Sequence, residues 1–206
     1  MTSRHGTAMW WTDVARLPAA LSGIERSIDP SAEVAADAVV VGKVVIGPRS
    51  RICPGARIEG PVIISADCLI GNNALVRGNT IIGEGCRIGF AVEIKQARLG
   101  RAVSVGPQCY IADSLLDDQV YLGAQVRTSN HRLDAATVQV LHNGERLDTG
   151  MSKLGCHIGE RAALGIQCIV LPGRMVAAGA VFGPRITISR NLPASRYQLR
   201  QELESS

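Results

Sequence analysis

The stretch VIISADCLIGNNALVRGNTIIGEGCRIGFAVEI, residues 62–94, carries an aliphatic residue at every sixth position. The spacing reaches back to residue 28, so that twelve such residues follow in step: Ile28, Val34, Val40, Ile46, Ile52, Ile58, Ile64, Ile70, Val76, Ile82, Ile88 and Ile94. A period of six fits neither an α-helix nor a simple alternating strand. It predicts very short strands joined by turns, with three hexads to a coil of 18 residues. Such coils bury their apolar sides by stacking on each other.

The repeat continues beyond this stretch. After Ile94 it shows single-residue slips at Leu99 and Leu116, stops after Val126, and resumes in step from Ile158 to Ile188. We therefore expect a solenoid of about seven to eight coils over residues 28–190, interrupted by an insertion at 127–156. Within the insertion, Asn-Gly separates two strand-like runs and predicts a hairpin. Insertions on a solenoid form loops on one face, and loops commonly carry function.

Two terminal segments lie outside the repeat. Residues 1–27 are predicted to form a helical cap, because apolar residues recur there at helical spacing: Trp10, Val14, Leu17, Leu21 and Ile24. We expect this helix to seal the open end of the solenoid and to be kinked or divided at Pro18. A docking surface built on the two tryptophans is the alternative. Residues 191–206 are expected to leave the solenoid as a C-terminal tail, ending in a short helix or an arm.

The composition suits a solenoid with a narrow interior. The chain has 206 residues, 22 glycines and 3% aromatic residues, so one domain is the simplest interpretation. The net charge of +4 is mild, and no run of Lys and Arg indicates nucleic-acid binding. The charge fits an ordinary protein surface, and an attraction for a phosphorylated ligand is the alternative. With no signal peptide and no apolar run of membrane-spanning length, we expect a cytoplasmic protein without a membrane partner.

The six cysteines do not form a metal-binding pattern. Five of them stand two residues before an aliphatic corner position, where other hexads place Ala or Ser: Cys68, Cys86, Cys109, Cys156 and Cys168. They are predicted to be small buried residues in a reduced compartment. No pair has C-x-x-C spacing, so no metal is expected.

Four strings carry a resemblance to a known family. They are GFAVEIKQARLG at 89–100, YIADS at 110–114, LDTGMSKLG at 147–155 and GIQCIVLPG at 165–173. With the six-residue period, they resemble the hexapeptide-repeat acyltransferase superfamily. More narrowly, residues 46–190 resemble the C-terminal acetyltransferase half of bifunctional sugar-1-phosphate nucleotidyltransferase/acetyltransferases of the archaeal type. The nucleotidyltransferase domain is expected to be absent, because residues 1–27 hold no Gly-rich nucleotide loop.

The resemblance implies an all-β fold, a left-handed parallel β-helix. It also implies a homotrimer in which acetyl-CoA lies in the groove between two subunits as a cosubstrate. The family's sugar-phosphate cations match Arg77 and Lys95, which are 18 residues apart and therefore expected to stack on one face and clamp a phosphate. Alternatively, both are solvated surface charges. Tyr110 matches a sugar contact, and Asn130 matches the asparagine near the acyl thioester.

Two positions depart from the family pattern. Pro107 stands where the family has its general base, a histidine, and Tyr121 stands where it has an asparagine. His131 is the best replacement base, with Asp134 placed to orient its ring. The alternative is that His131 is an ordinary polar loop residue.

The other three histidines are less suitable as a base. His5 lies in the N-terminal segment, His142 is expected to be solvated at a hairpin tip, and His157 is expected to point outward as a surface side chain. Their spacings do not supply three histidines for zinc.

The donor site is also carried over from the resemblance. The pantetheine is expected beside Gly165, Ile166 and Pro184, with Arg196 or Arg200 near the CoA phosphates. We therefore predict an acyl-CoA-dependent N- or O-acyltransferase that acts on a sugar or amino-sugar phosphate. Because of Pro107, the alternative is a non-catalytic sugar-phosphate-binding or assembly homologue, perhaps paired with a separate nucleotidyltransferase. A purely structural trimer is a third reading.

Overall fold

The computed structural model describes residues 9–200. Its main body is a three-sided solenoid whose sides are parallel sheets, here called faces A, B and C. Face A contains β1 (Ser27–Ile28), β4 (Val44–Ile46), β7 (Val62–Ile64), β10 (Thr80–Ile82), β13 (Arg98–Leu99), β16 (Leu115–Leu116), β21 (Cys156–Ile158) and β24 (Arg174–Val176).

Faces B and C complete each coil. Face B contains β2 (Glu33–Val34), β5 (Arg51–Ile52), β8 (Leu69–Ile70), β11 (Arg87–Ile88), β14 (Ser104–Val105), β17 (Tyr121–Leu122), β22 (Ala163–Leu164), β25 (Val181–Phe182) and β27 (Arg196–Tyr197). Face C contains β3 (Val39–Val41), β6 (Arg57–Glu59), β9 (Leu75–Arg77), β12 (Glu93–Lys95), β15 (Tyr110–Ala112), β18 (Arg127–Thr128), β23 (Ile169–Val170) and β26 (Thr187–Ile188).

The six-residue period places one aliphatic side chain of each strand in the interior. Strands pair in register one coil apart, as in Ile46 with Ile64 and Ile64 with Ile82, and these side chains are fully buried. Faces A and C have eight strands and face B has nine, so eight complete coils stack over a length on the order of 35 Å. The predicted fold class, a left-handed parallel β-helix of hexapeptide repeats, is confirmed.

Glycines allow the corners of successive coils to approach closely. A Cβ added at Gly83 would lie 2.3 Å from the Gly100 carbonyl oxygen, which leaves no room for a side chain. All six cysteines are buried and form no disulfide, which includes the five whose burial was predicted. Burial raises the pKa of the Cys109 thiol to about 11 and that of Cys156 to about 12, so both remain neutral near pH 7.

The N-terminal helix does not cap the solenoid, which corrects our prediction. α1 (Trp10–Leu21) lies along the outside of face A, where Trp10 and Val14 pack on Leu115. Gln96 Nε2 donates to the Val14 carbonyl oxygen at 3.2 Å, and Lys43 Nζ donates to that of Ser22 at 3.0 Å. The helix is about 18 Å long and so crosses several strands instead of closing an end.

Pro18 does not divide this helix. A residue at position 18 would normally donate its amide N–H to the carbonyl of Val14, and proline has no such hydrogen. The side chain of Gln96 supplies that hydrogen bond from the solenoid. The helix therefore continues through Pro18 to Leu21.

The predicted hairpin is present in the insertion. β19 (Gln139–His142) pairs antiparallel with β20 (Glu145–Asp148) around a turn in which Asn143 and Gly144 have φ of 50° and 85°. Positive φ at both turn residues matches the hairpin turn that Asn-Gly favours. β18 and β21 remain in the solenoid, so the insertion is limited to residues 129–155.

The C-terminal segment also differs from the expectation that it leaves the solenoid. β27 pairs with β25 on face B, and the Tyr197 ring stacks on Phe182 with centroids 4.7 Å apart. The end of the solenoid thereby covers a large aromatic side chain that would otherwise be exposed. The described part of the tail is thus a partial ninth coil. His5 and residues 201–206 lie outside the described residues.

Candidate active site on face C

Two predicted residues, Lys95 and Asn130, meet along the corner between faces C and A through an aspartate that we did not predict. Lys95 Nζ lies 3.1 Å from Asp113 Oδ2, and Asn130 Nδ2 donates to the same oxygen at 2.5 Å. Asp113 is only 6% exposed, and its backbone N–H and carbonyl bond to Lys95 and Gly155. We call Lys95, Asp113 and Asn130 the polar ladder. Asp113 follows Lys95 by 18 positions, and that spacing was the signal available in the sequence.

Arg77 and Lys95 lie in register on neighbouring strands of face C. Arg77 Nη2 is 2.7 Å from Glu93 Oε1, and about 41% of the Arg77 side chain is exposed. The Lys95 side chain is 15% exposed, so it is not the solvated surface charge of the alternative reading. Both cations already have carboxylate partners, and a shared phosphate site stays a prediction.

The two tyrosines lie on different faces. Tyr110 is half-buried on β15 of face C, in register with Glu93. Tyr121 is 53% exposed on β17 of face B. Only Tyr110 therefore shares a face with Arg77 and Lys95.

His131 is exposed where the insertion leaves the solenoid. Its Nδ1 is 3.3 Å from the Ser152 carbonyl oxygen, and its backbone bridges to Lys153. Asp134 instead accepts hydrogen bonds from Arg132, which with the Ala136 N–H lowers the pKa of that carboxyl to about 2. The expectation that Asp134 orients the ring is wrong, because Arg132 engages both of its oxygens.

Two further histidines are placed differently from our predictions. His157 is buried, with Nε2 2.9 Å from Asp117 Oδ2 and the Trp10 ring 5.9 Å away. His142 is half-buried, with its ring edge-on to Trp11 at 5.6 Å. Each ring lies against a tryptophan of α1, so neither is a solvated surface group.

A second feature lies at the corner between faces B and C. Ile166 and Pro184 line a groove of about 360 Å³ together with Arg185, Gln198 and Leu199. A Cβ at Gly165 would lie 2.8 Å from the Gly183 carbonyl carbon, so Gly165 serves coil stacking. Arg185 is the cation that lines the groove and was missed, whereas Arg196 and Arg200 are exposed outside its lining.

The same corner holds the position where the family's base was expected. Pro107 is exposed there, and its carbonyl accepts from the Gln125 N–H at 2.9 Å. Stacked glutamine side chains follow along the corner, with Gln125 donating to Gln108 at 3.0 Å and Gln167 donating to Gln125 at 2.8 Å. Amides do not act as bases near pH 7, so this corner offers no general base.

Residues 9–200 contain no group of three His, Cys, Asp or Glu side chains placed to hold a metal ion. No helix among those residues is long and apolar enough to cross a membrane.

Comparison with known proteins gives partial matches in sequence. The family model described as the GMPPB C-terminal domain matches residues 58–144. An uncharacterized acetyltransferase of Escherichia coli, YaiX, is 54% identical over 115 residues, which cover 56% of this chain and 50% of that protein. A bifunctional sugar-1-phosphate nucleotidylyltransferase/acetyltransferase of Sulfurisphaera tokodaii is 34% identical over 104 residues, covering 50% of this chain and 26% of the relative. The chain thus spans about half the length of the Escherichia coli relative.

Solved structures that match part of this chain include LpxA from Acinetobacter baumannii, at 15% identity and a TM-score of 0.45 over 84% of this chain and 71% of that chain. Another is PerB from Caulobacter crescentus in complex with CoA and GDP-perosamine, at 20% identity and a TM-score of 0.27 over 85% and 54% of the chains. The resemblance of this chain to the hexapeptide-repeat acyltransferases, and within them to the bifunctional sugar-1-phosphate enzymes, is confirmed.

Proposed function

We propose that this protein is an acyl-CoA-dependent acyltransferase, with acetyl-CoA as donor, that acts on an amino or hydroxyl group of a sugar or sugar phosphate. The observation that carries the proposal is the arrangement on face C. An apolar groove with a cation lies at one edge of this face, and the polar ladder lies at the other. Relatives named as acetyltransferases, which match about half of the chain, support the same class.

The donor is proposed to lie along the corner between faces B and C. Pantetheine is a long apolar chain with amides, and Ile166 and Pro184 present apolar surface to it. Arg185 is added to Arg196 and Arg200 as a cation for the CoA phosphates. The groove is open in one chain, and we propose that a neighbouring subunit of a homotrimer closes it.

The acceptor is proposed to bind on face C. Arg77 is the more accessible cation for a phosphate, while Asp113 fixes the position of Lys95. Tyr110 would contact the sugar ring from the neighbouring coil. Asn130 keeps a second N–H beyond the one given to Asp113, which is available to the acyl carbonyl.

His131 is the proposed general base. When its Nδ1–H donates to the Ser152 carbonyl, Nε2 carries the lone pair that accepts a proton. The acceptor's amine or hydroxyl loses its proton to Nε2 and bonds to the thioester carbonyl carbon. The carbon–sulfur bond then breaks, and the CoA thiolate takes up the proton as it leaves.

The test measures release of free CoA thiol from acetyl-CoA with a panel of amino-sugar and sugar phosphates. His131→Ala is expected to lower kcat by about 10²- to 10⁴-fold, the usual effect of losing a general base. Leu133→Ala is the matched control in the same loop, because its side chain is fully exposed, and it should leave kcat within about twofold. Full turnover in His131→Ala would remove the assigned role, while an inert wild type that also fails to bind acetyl-CoA by calorimetry would refute the transferase.

Pro107 supports a second candidate, a non-catalytic homologue that binds a sugar phosphate or assembles with a separate nucleotidyltransferase. A proline at this corner cannot transfer a proton. This candidate predicts acceptor binding by calorimetry, no thiol release with any acceptor, and loss of binding in Lys95→Glu. A structural trimer without a ligand predicts that Lys95→Glu changes nothing except stability.

The homotrimer and the cytoplasmic location belong to the same proposal. Analytical ultracentrifugation of the full chain tests the first, with a single species of three times the 21.8 kDa chain mass expected. A monomer at micromolar concentration would leave the groove open and contradict the shared site. Cell fractionation with an antibody against the protein tests its location.

A further inference from the structure

A cleft lined by arginines lies where the inserted hairpin meets the last coils. Four of them contribute to its surface: Arg132, Arg146, Arg174 and Arg190. Arg174 begins β24 on face A, Arg146 is on β20 of the hairpin, and Arg190 follows β26 on face C. The cleft encloses about 180 Å³, and no Asp or Glu lines it in the part of the chain that the structure describes.

The charges of this cleft are not balanced locally. Arg132 pairs with Asp134, but Arg146, Arg174 and Arg190 form no salt bridge or side-chain hydrogen bond within residues 9–200. By contrast, Arg49 and Arg101, at two corners of the solenoid, each pair with a carboxylate. Three uncompensated guanidinium groups therefore share one concave surface.

Arg174 occupies the most demanding position of the group. It is in register with Cys156, where other coils of face A place small or aliphatic residues. Its Nε is buried without a hydrogen-bond partner, and burial together with the charges of Arg146 and Arg132 lowers its pKa. A half-buried cation without a counterion is costly, and an anion in the cleft would offset that cost.

We propose that this cleft binds the phosphate groups of an anionic ligand, with a diphosphate as the preferred form. Each guanidinium presents a planar fork of N–H donors that matches two phosphate oxygens, so the three free arginines can engage adjacent phosphates. The cleft uses none of the residues assigned to transfer. The proposal therefore stands apart from the transferase activity and concerns binding alone.

The test is calorimetry of pyrophosphate with the full chain at low and at physiological salt. The double variant Arg146→Gln, Arg190→Gln is expected to weaken binding about tenfold or more, because each loses charged hydrogen bonds. The matched control is Arg51→Gln, Arg161→Gln, which removes the same charge from two exposed sites outside the cleft. The cleft proposal is overturned if the double variant binds within twofold of wild type, or if the control loses as much.

Arg174→Met supplies a second readout that a purely structural arginine would not give. Removing a cation repelled by two neighbours is expected to keep or raise the melting temperature without ligand. The same change is expected to lower the rise in melting temperature that pyrophosphate causes. A variant that is stabilised by pyrophosphate as strongly as wild type would contradict the assignment.

Further arms identify the source of the phosphate. Tighter binding of UDP or GDP than of pyrophosphate, lost in the double variant, would assign a nucleotide diphosphate, whereas pyrophosphate binding with no gain from the nucleoside would assign a free diphosphate. Either result supports the cleft. A protein that binds pyrophosphate but neither releases thiol nor binds acetyl-CoA would retain this site and refute the transferase, so the two proposals fail separately.

Discussion

Face A and face C are built by the same repeat but differ in their outward side chains. On face A, Ile81, Leu115 and Met175 point outward and pack with α1 and the hairpin in a second hydrophobic cluster. On face C several outward positions carry charged side chains that stay partly exposed, such as Arg77 and Glu93. Inward residues therefore build the solenoid, while outward residues decide which face is covered and which is available to a ligand.

The largest expected effect tests the covered face. Trp10→Ala removes a 3%-exposed ring from the contact between α1 and face A and should lower the free energy of unfolding by about 3–5 kcal/mol. Denaturant titration measures it. Val41→Ala on open face C is the control, with a change of about 0.5 kcal/mol or less. Equal losses in the two variants would contradict the difference between the faces.

The next effect tests whether face C is held by its polar ladder. Asp113→Ala leaves the Lys95 amine and the Asn130 amide without their shared acceptor and should cost about 1–3 kcal/mol. Asp118→Ala breaks a more exposed pair with Arg101 and should cost about 1 kcal/mol or less. The ladder has no structural role if Asp113→Ala and Asp118→Ala unfold alike. Adding Lys95→Met to Asp113→Ala should recover part of the loss.

A smaller effect concerns the turn of the hairpin over face A. Gly144 has a φ of 85° and no atom within 4 Å of an added Cβ, so Gly144→Ala strains only the backbone, by about 1–2 kcal/mol. Gly23 has equal space but no positive φ, and Gly23→Ala should be neutral or slightly stabilising. Hydrogen exchange of the hairpin amides distinguishes the two variants, because only Gly144→Ala is expected to lower their protection. Similar protection in both variants would argue against this turn geometry.

The smallest effect is expected at the exposed pair on face C. Arg77→Gln should change the free energy of unfolding by less than about 1 kcal/mol, because both side chains of the pair are partly solvated. The small change should shrink further in high salt. A loss well above this value would mean that Arg77 is a structural residue and not an accessible cation.

The solenoid was predictable because its signal repeats. Every hexad places an aliphatic residue at the same inward position. The fold could therefore be recognised despite the single-residue slips at Leu99 and Leu116. The hairpin was predictable because Asn143 and Gly144 suit positive φ at adjacent residues. These features depend on local geometry or on its repetition.

The position of α1 on face A was less predictable. An apolar stripe on a helix indicates that one side is buried, but not which surface it packs against. The spacing from Trp10 to Leu21 indicated a buried side but not whether an end or a face of the solenoid receives it. The same uncertainty affected His157: strand alternation correctly placed it outward, and α1 then buried it. Pro18 appeared to break the helix because Gln96, which replaces the lost hydrogen bond, is 78 residues away.

The candidate site was predictable in part. The 18-residue spacing correctly placed Arg77 and Lys95 on neighbouring strands. The same spacing, counted from Lys95, predicts that Asp113 lies beside Lys95 on the next coil. Asp134 was assigned to His131 by proximity in the chain, but Arg132 is nearer and carries the opposite charge. Arg185 and the arginine cleft depend on contacts between separate segments, which spacing within one segment cannot reveal.

The position of α1 also affects how this protein unfolds. In a bare stack of coils each unit touches only its neighbours, so terminal coils can fray one at a time. Here α1 contacts two distant parts of the stack. It accepts a hydrogen bond from Lys43 near the first coils and packs on Leu115 near the middle. Unfolding of the first coils alone would also remove contacts that hold α1 in place. The coils of the N-terminal half are therefore expected to unfold together, as one cooperative unit.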